Sequence, residues 1–247
     1  MFAIYKKELR AYFTTPVGYV YAGVFLAIAA IICTYTTLQQ ASYNTSPYFQ
    51  YLLFTFIVLI PLLTMRMFAE ERKTRTEQLL LTAPVTITGM VLGKYFAALS
   101  LFAATVLASC LNFVPLLGYT IKEQAAANTD THIGPLGGQV LGCLVGVLLI
   151  GAAFIAIGLF ISSLTENQLA AAVITIAVLA ALIFVGAAAS LVKSTVVRTV
   201  LNFISVLSRY DNFSLGLFDF AAILYYVSIS GVFIFLTVRI YEKRRWG

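Results

Sequence analysis

Charge is scarce in this sequence. Lys, Arg, Asp and Glu make up 11% of the 247 residues, where a soluble domain carries about 25%. With 61% hydrophobic residues and a mean hydropathy of +0.94, that scarcity excludes a water-soluble globule. Histidine occurs once, as His132, in the polar stretch "KEQAAANTDTHIGP", where a solvated loop residue is the default. The three cysteines, Cys33, Cys110 and Cys143, all fall in apolar runs without metal-ligand spacing. They read as small buried hydrophobes and indicate no redox compartment.

The apolar runs lack acids, histidines and nucleophile dyads at mid-run, which argues against a membrane-embedded enzyme or a proton-driven transporter. No catalytic residue, metal or cofactor is expected. The stretch "GMVLGK" at 89–94 superficially resembles a phosphate loop, but Thr88 stands where the first Gly should be. Tyr95 replaces the Ser or Thr that would hold magnesium. ATP binding through a phosphate loop is excluded. Lys6, Lys7 and Arg10 precede an apolar stretch that is long enough to span and has no A-x-A-like site after it, so no cleaved signal peptide is expected.

Six apolar runs approach the ~20 residues that a helix needs to cross a bilayer. They lie at 17–38, 51–67, 95–118, 136–162, 169–192 and 220–240. They are apolar all round rather than alternating, which disfavours a β-barrel. The expected fold is an all-α integral membrane protein, a single transmembrane domain over 1–247. Six spans put both termini on one side. That side holds twelve of the sixteen basic residues and six of the ten acids, so the whole excess of +6 lies there. The positive-inside rule makes that side cytoplasmic, which suits a multi-pass protein of the inner (plasma) membrane. The basic balance then means orientation and contact with membrane lipids. No nucleic acid is implied, since the charges are spread over separate loops.

Between the spans, four features stand out. In 1–15, Phe2, Tyr5, Leu9 and Tyr12 recur at helical spacing, which predicts an interfacial helix that Pro16 turns into span one. The segment 193–219 is too polar to cross and too apolar for a solvated loop, so it is expected to dip into the outer face, with Arg209 and Asp211 a candidate pair. Gly138, Gly142 and Gly146 form a G-x-x-x-G-x-x-x-G ladder for close helix packing, within the chain or at an oligomer seam. Asn112, deep in a span, is read as an interhelical hydrogen-bonding residue, and Pro61 as a candidate kink.

The fourth feature is the charged stretch "FAEERKTRTEQLLLTAP" at 68–84. Thr74-x-x-Glu77 has capping-box spacing and Pro84 disfavours helix at Ala83, which predicts a separate helix of about two turns. Glu71 and Arg75 are spaced i, i+4, as in a helical extension of span two. A solvated extension explains the charges. It does not explain Leu79, Leu80 and Leu81 side by side, which call for a partner, either the membrane surface or another protein.

The stretch "FAEERKTRTEQLLLTAPVTITGMVLGKYFA" resembles the first cytoplasmic loop of the type-2 ABC permeases, the membrane subunits of ATP-binding-cassette exporters. The shared features are Glu70 and Glu71, the Thr-x-Glu-x-Leu-Leu-like run of Thr76, Glu77, Leu79 and Leu80, then Pro84-Val85 and Gly93-Lys94. "ISSLTENQLAAAV" and "NFSLGLFDFAAILYYVSIS" also look familial, so the likeness covers nearly the whole chain, closest to the gliding-motility-type permease subunit. Arg75 stands where many relatives carry Gly. The resemblance implies that 68–90 holds a coupling helix docking into a groove on an ATPase subunit. Its coupling residues would be Glu70, Glu71, Thr76, Glu77, Leu79, Leu80 and Pro84. It further implies an N-terminal connecting helix, re-entrant helices before span six, two ATPase copies, and a second permease chain, identical or homologous. The rival function is a non-transporting membrane anchor or assembly subunit of an ATPase-driven complex.

Overall fold

The computed structural model describes residues 1–40, 43–78, 85–116, 118–120, 137–191 and 194–246. Among them every regular element is a helix. Helix α1 (Phe2–Thr14) stops at Thr15, whose backbone is extended (φ −97°, ψ 153°). The residue before a proline avoids helical geometry, and Pro16 suits the first turn of the next helix, α2 (Pro16–Cys33). The corner is tight: a Cβ on Gly18 would lie 2.3 Å from the Tyr12 carbonyl oxygen. Helix α2 runs on into a π-helical turn at Thr34–Leu38.

Helix α3 (Ser46–Thr64) carries Pro61 three residues before its end and leads through a short turn to α4 (Ala69–Lys73). Helix α5 (Ile87–Ser109) continues into a 3-10 turn, Cys110–Phe113. Then come α6 (Gly137–Leu164), α7 (Gln168–Leu191), two short helices α8 (Thr195–Ile204) and α9 (Val206–Ser214), and α10 (Phe220–Trp246). Six stretches are long and apolar enough to cross a membrane: Pro16–Leu38, Ser46–Lys73, Ile87–Thr120, Gly137–Leu164, Gln168–Ala189 and Phe220–Arg245. The shortest, 22 residues, is roughly 33 Å long at 1.5 Å per residue, enough for a hydrocarbon core of about 30 Å. The protein is an all-α integral membrane protein.

Helix α6 is the axis of the bundle, with α3, α5, α7, α9 and α10 packed around it. Phe25, Phe56 and Phe102 meet in the core with ring centroids 5.1–6.5 Å apart. Gly151 of α6 makes room for them, since a Cβ there would fall 2.1 Å from the Phe102 ring. Of the glycine ladder, Gly142 and Gly146 face α9: their Cβ positions lie 2.8 Å from the Phe213 carbonyl oxygen and 2.9 Å from the Tyr210 ring. Nothing lies within 4 Å of a Cβ at Gly138.

The predicted outer segment is thus a pair of helices. Ser205 breaks it with an extended ψ of 124° and caps α9 by accepting from the Ser208 amide at 3.2 Å. Tyr225 and Tyr226 of α10 tie the break down, donating to the Ile204 and Val206 carbonyls at 2.7 and 2.8 Å. The expected Arg209–Asp211 pair does not form among the described residues. Arg209 instead lies between the Phe203 and Tyr225 rings, 4.7 and 4.2 Å from their centroids, because residues two apart on a helix point to different faces. Asn112 meets α2 through its backbone, with Cys33 Sγ donating to its carbonyl at 3.7 Å.

Candidate functional site

The charged stretch that sequence singled out sits at the end of the bundle where the two terminal helices also come together. Lys94, on the first turns of α5, is its centre. Its side chain is 1% exposed, an expensive place for an ammonium unless it is paired and hydrogen-bonded. It is both: Nζ donates to Glu71 Oε1 at 2.8 Å, to the Met67 carbonyl at 2.8 Å and to Glu8 Oε1 at 3.1 Å. The Phe68 ring lies 5.1 Å from the ammonium. One lysine therefore joins α1, α4 and α5.

Helix α1 can reach Lys94 because Gly89 and Gly93, one turn apart on α5, open a notch for it. A Cβ on Gly93 would meet Ile4 at 3.1 Å, and one on Gly89 would sit 3.5 Å from the Met1 nitrogen. The "GMVLG" run that fails as a phosphate loop is a G-x-x-x-G helix crossing. Its spacing was there to be read.

A second cluster forms around Glu77. Arg244 Nη1 of α10 donates to Glu77 Oε1 at 3.2 Å, and Arg72 Nε lies 3.6 Å from Oε2. Both arginines also serve the C-terminal end of α6. Arg72 donates to the Leu164 carbonyl at 3.0 Å and pairs with Glu166 at 2.7 Å, while Arg244 donates to the Ser163 carbonyl at 2.8 Å. Cations there satisfy the last carbonyls and offset the negative end of the helix dipole. Ser162 completes the joint from α6. Its Oγ accepts from the Phe68 and Ala69 amides, each at 3.2 Å, and donates to the Met65 carbonyl. Sequence reasoning missed Ser162 and Arg244 altogether.

The local structure of 70–77 differs from the capping box that its spacing predicts. Helix α4 ends at Lys73 with Thr74 as its C-cap, and Arg75 follows at φ 57°, in the left-handed region. Thr74 donates backwards, to the Glu70 carbonyl at 2.9 Å, and its hydroxyl meets that of Thr76 at 2.9 Å. Glu77 is spent on the two arginines, so it reaches no amide of Thr74. The i, i+4 pair is likewise displaced. Since the helix stops at Lys73, Glu71 does not pair with Arg75, and an i, i+4 pair forms five residues earlier, where Arg66 Nε and Nη2 grip both oxygens of Glu70 at 2.7 and 2.9 Å. Of the remaining candidates, Leu79, Leu80 and Pro84 lie outside the described residues. Among the described residues no group of three His, Cys, Asp or Glu side chains could hold a metal ion.

A six-span helical bundle with a charged joint at one end is the setting in which sequence comparison decides. The family description "ABC-2 family transporter protein" matches residues 16–240. The chain belongs to that family. No curated protein matches it. As an ABC-2 permease it is a multi-pass membrane subunit of an ABC transporter, and the ATPase activity of such a transporter resides in a separate ABC ATPase subunit with which the permease partners. The Arg66–Glu77 joint lies inside the matched region, and Glu8 of α1 lies outside it.

Proposed function

We propose that this permease forms half of an exporter's translocation path, together with a second permease chain, identical or homologous, and two ATPase subunits. The side with both termini is taken as cytoplasmic, on the strength of its basic excess. The segment 68–90 is then the coupling loop, with Leu79 and Leu80 entering a groove on the ATPase and Pro84 ending the docking helix.

One observation carries this reading. The base of that loop is bonded to α1 and α5 through Lys94, to the end of α6 through Ser162, Arg72 and Arg244, and to α10 through Arg244. A push on the loop therefore acts on both terminal helices and on the bundle's axis together. In this reading Glu70, Glu71 and Glu77 anchor the loop to the bundle, Thr76 shapes its turn, and the leucines make the contact. The absence of acids and bases at mid-span favours a lipid-like or amphipathic cargo.

The test is Leu79→Asp with Leu80→Asp in the assembled complex. Each leucine contributes about 1.5–3 kcal/mol when buried, so loss of both weakens association on the order of a hundredfold or more. The double variant should insert normally, co-purify poorly with the ATPase and lose transport coupled to nucleotide turnover. Wild-type association and coupled activity would reduce the loop to a solvated connector.

A further inference from the structure

Beside the Lys94 joint lies a half-open cavity of about 390 Å³, lined by α1, the start of α2, the end of α3, α4 and α5. Its charged lining is balanced, with Lys7, Arg66 and Lys94 against Glu8, Glu70 and Glu71. The rest of its wall is largely apolar or weakly polar, with Ala11 of α1 beside Val17 and Leu63 of the first two spans. Tyr12 also lines that apolar side, its hydroxyl donating to the Leu63 carbonyl at 3.4 Å.

We propose that this cavity binds the headgroup of a zwitterionic phospholipid of the phosphoethanolamine type, with the start of its acyl region against Val17 and Leu63. The charge pattern selects the class. A purely anionic headgroup would face three carboxylates and a purely cationic one three cations, whereas a zwitterion meets both signs at a cost to neither. Lys7 is the least committed cation. Its side chain is 60% exposed, and it stands 3.5 and 3.8 Å from Glu8 and Glu71, beyond good hydrogen-bond contact, so it can turn to a phosphate. Glu8 and Glu71 both use Oε1 for Lys94, and their Oε2 atoms are the acceptors for a primary ammonium. Such an ammonium donates three hydrogen bonds, and each N-methyl group removes one. The site thus recognises the lipid by its donors as well as its charge.

The experiment uses the full-length chain in detergent, with bound lipid counted by native mass spectrometry after exchange into defined lipids. Phosphatidylethanolamine should be retained on the order of tenfold more than phosphatidylglycerol, and retention should fall stepwise through the mono-, di- and trimethylated headgroups. Soluble glycerophosphoethanolamine should not displace the lipid at matched concentration, because the apolar wall holds the anchored form. If the soluble headgroup competes equally, the site takes a free phosphoamine and the lipid assignment is wrong. Ala11→Trp, which fills the cavity, should abolish the preference while leaving the melting temperature within a few degrees. Equal or stronger retention of phosphatidylglycerol would mean only surface attraction by Lys6, Lys7 and Arg10, and would overturn the proposal. The headgroup series on the wild-type chain decides the matter even if Ala11→Trp misfolds.

Discussion

Arg75 shows how much a single backbone angle can explain. It occupies the left-handed position that follows a helix C-cap, with its amide donating to the Arg72 carbonyl at 3.1 Å. A side chain there crowds its own carbonyl, which costs about 1–2 kcal/mol relative to relaxed backbone, and glycine is the usual occupant. Arg75→Gly should therefore raise the melting temperature of the detergent-solubilised chain slightly, since relief of the strain exceeds the greater backbone entropy that glycine loses on folding. Arg75→Val, a β-branched residue in the same geometry, should lower it. A fall with glycine as large as that with valine would show that the guanidinium contributes more than the angle costs.

At the scale of elements, the sequence made legible whatever depends on neighbours. Apolar run lengths locate the six spans and Pro16 places the corner between α1 and α2, while of the glycine ladder only Gly142 and Gly146 lie against α9. The Thr-x-x-Glu spacing at 74–77 misleads because it takes no account of what else Glu77 can reach. Its partner Arg244 is 167 positions away, and Glu8 finds Lys94 across 86. Pattern rules see three or four residues along a helix, so a joint assembled from distant segments leaves no local signature. Where capping is local, it behaves as expected. Asp219 heads α10, accepting from the Ala221 amide at 2.9 Å and from the Asn212 side chain at 2.9 Å. The Asn212 amide first, then the backbone amides, hold its carboxyl below the usual aspartate range. A depressed folded pKa stabilises above the unfolded value, about 3.9, and that contribution is lost as pH falls through the folded one. Asp219→Ala should lower the melting temperature at neutral pH, with the gap to wild type closing as the solution is acidified. A gap constant with pH would assign the effect to packing.

For the whole molecule, topology is the property on which the coupling proposal stands. Cysteine introduced at the exposed Asn44 or at Thr129 should react with an impermeant thiol reagent in intact cells, while cysteine at Thr76 or Arg244 should react only after permeabilisation. External labelling at Thr76 would reverse the orientation and remove the ATPase docking with it. The same molecule also has a history of assembly. Glu8 leaves the ribosome long before Lys94, and Glu77 long before Arg244. At 5–20 residues per second, the 167 positions from Glu77 to Arg244 take roughly 8–33 s to synthesise. For that interval Glu77 lacks one of its two arginines, and the loop base cannot be locked. If the loop docks on the ATPase as proposed, a nascent chain stalled before its last span would offer that partner a loop whose base is not yet locked.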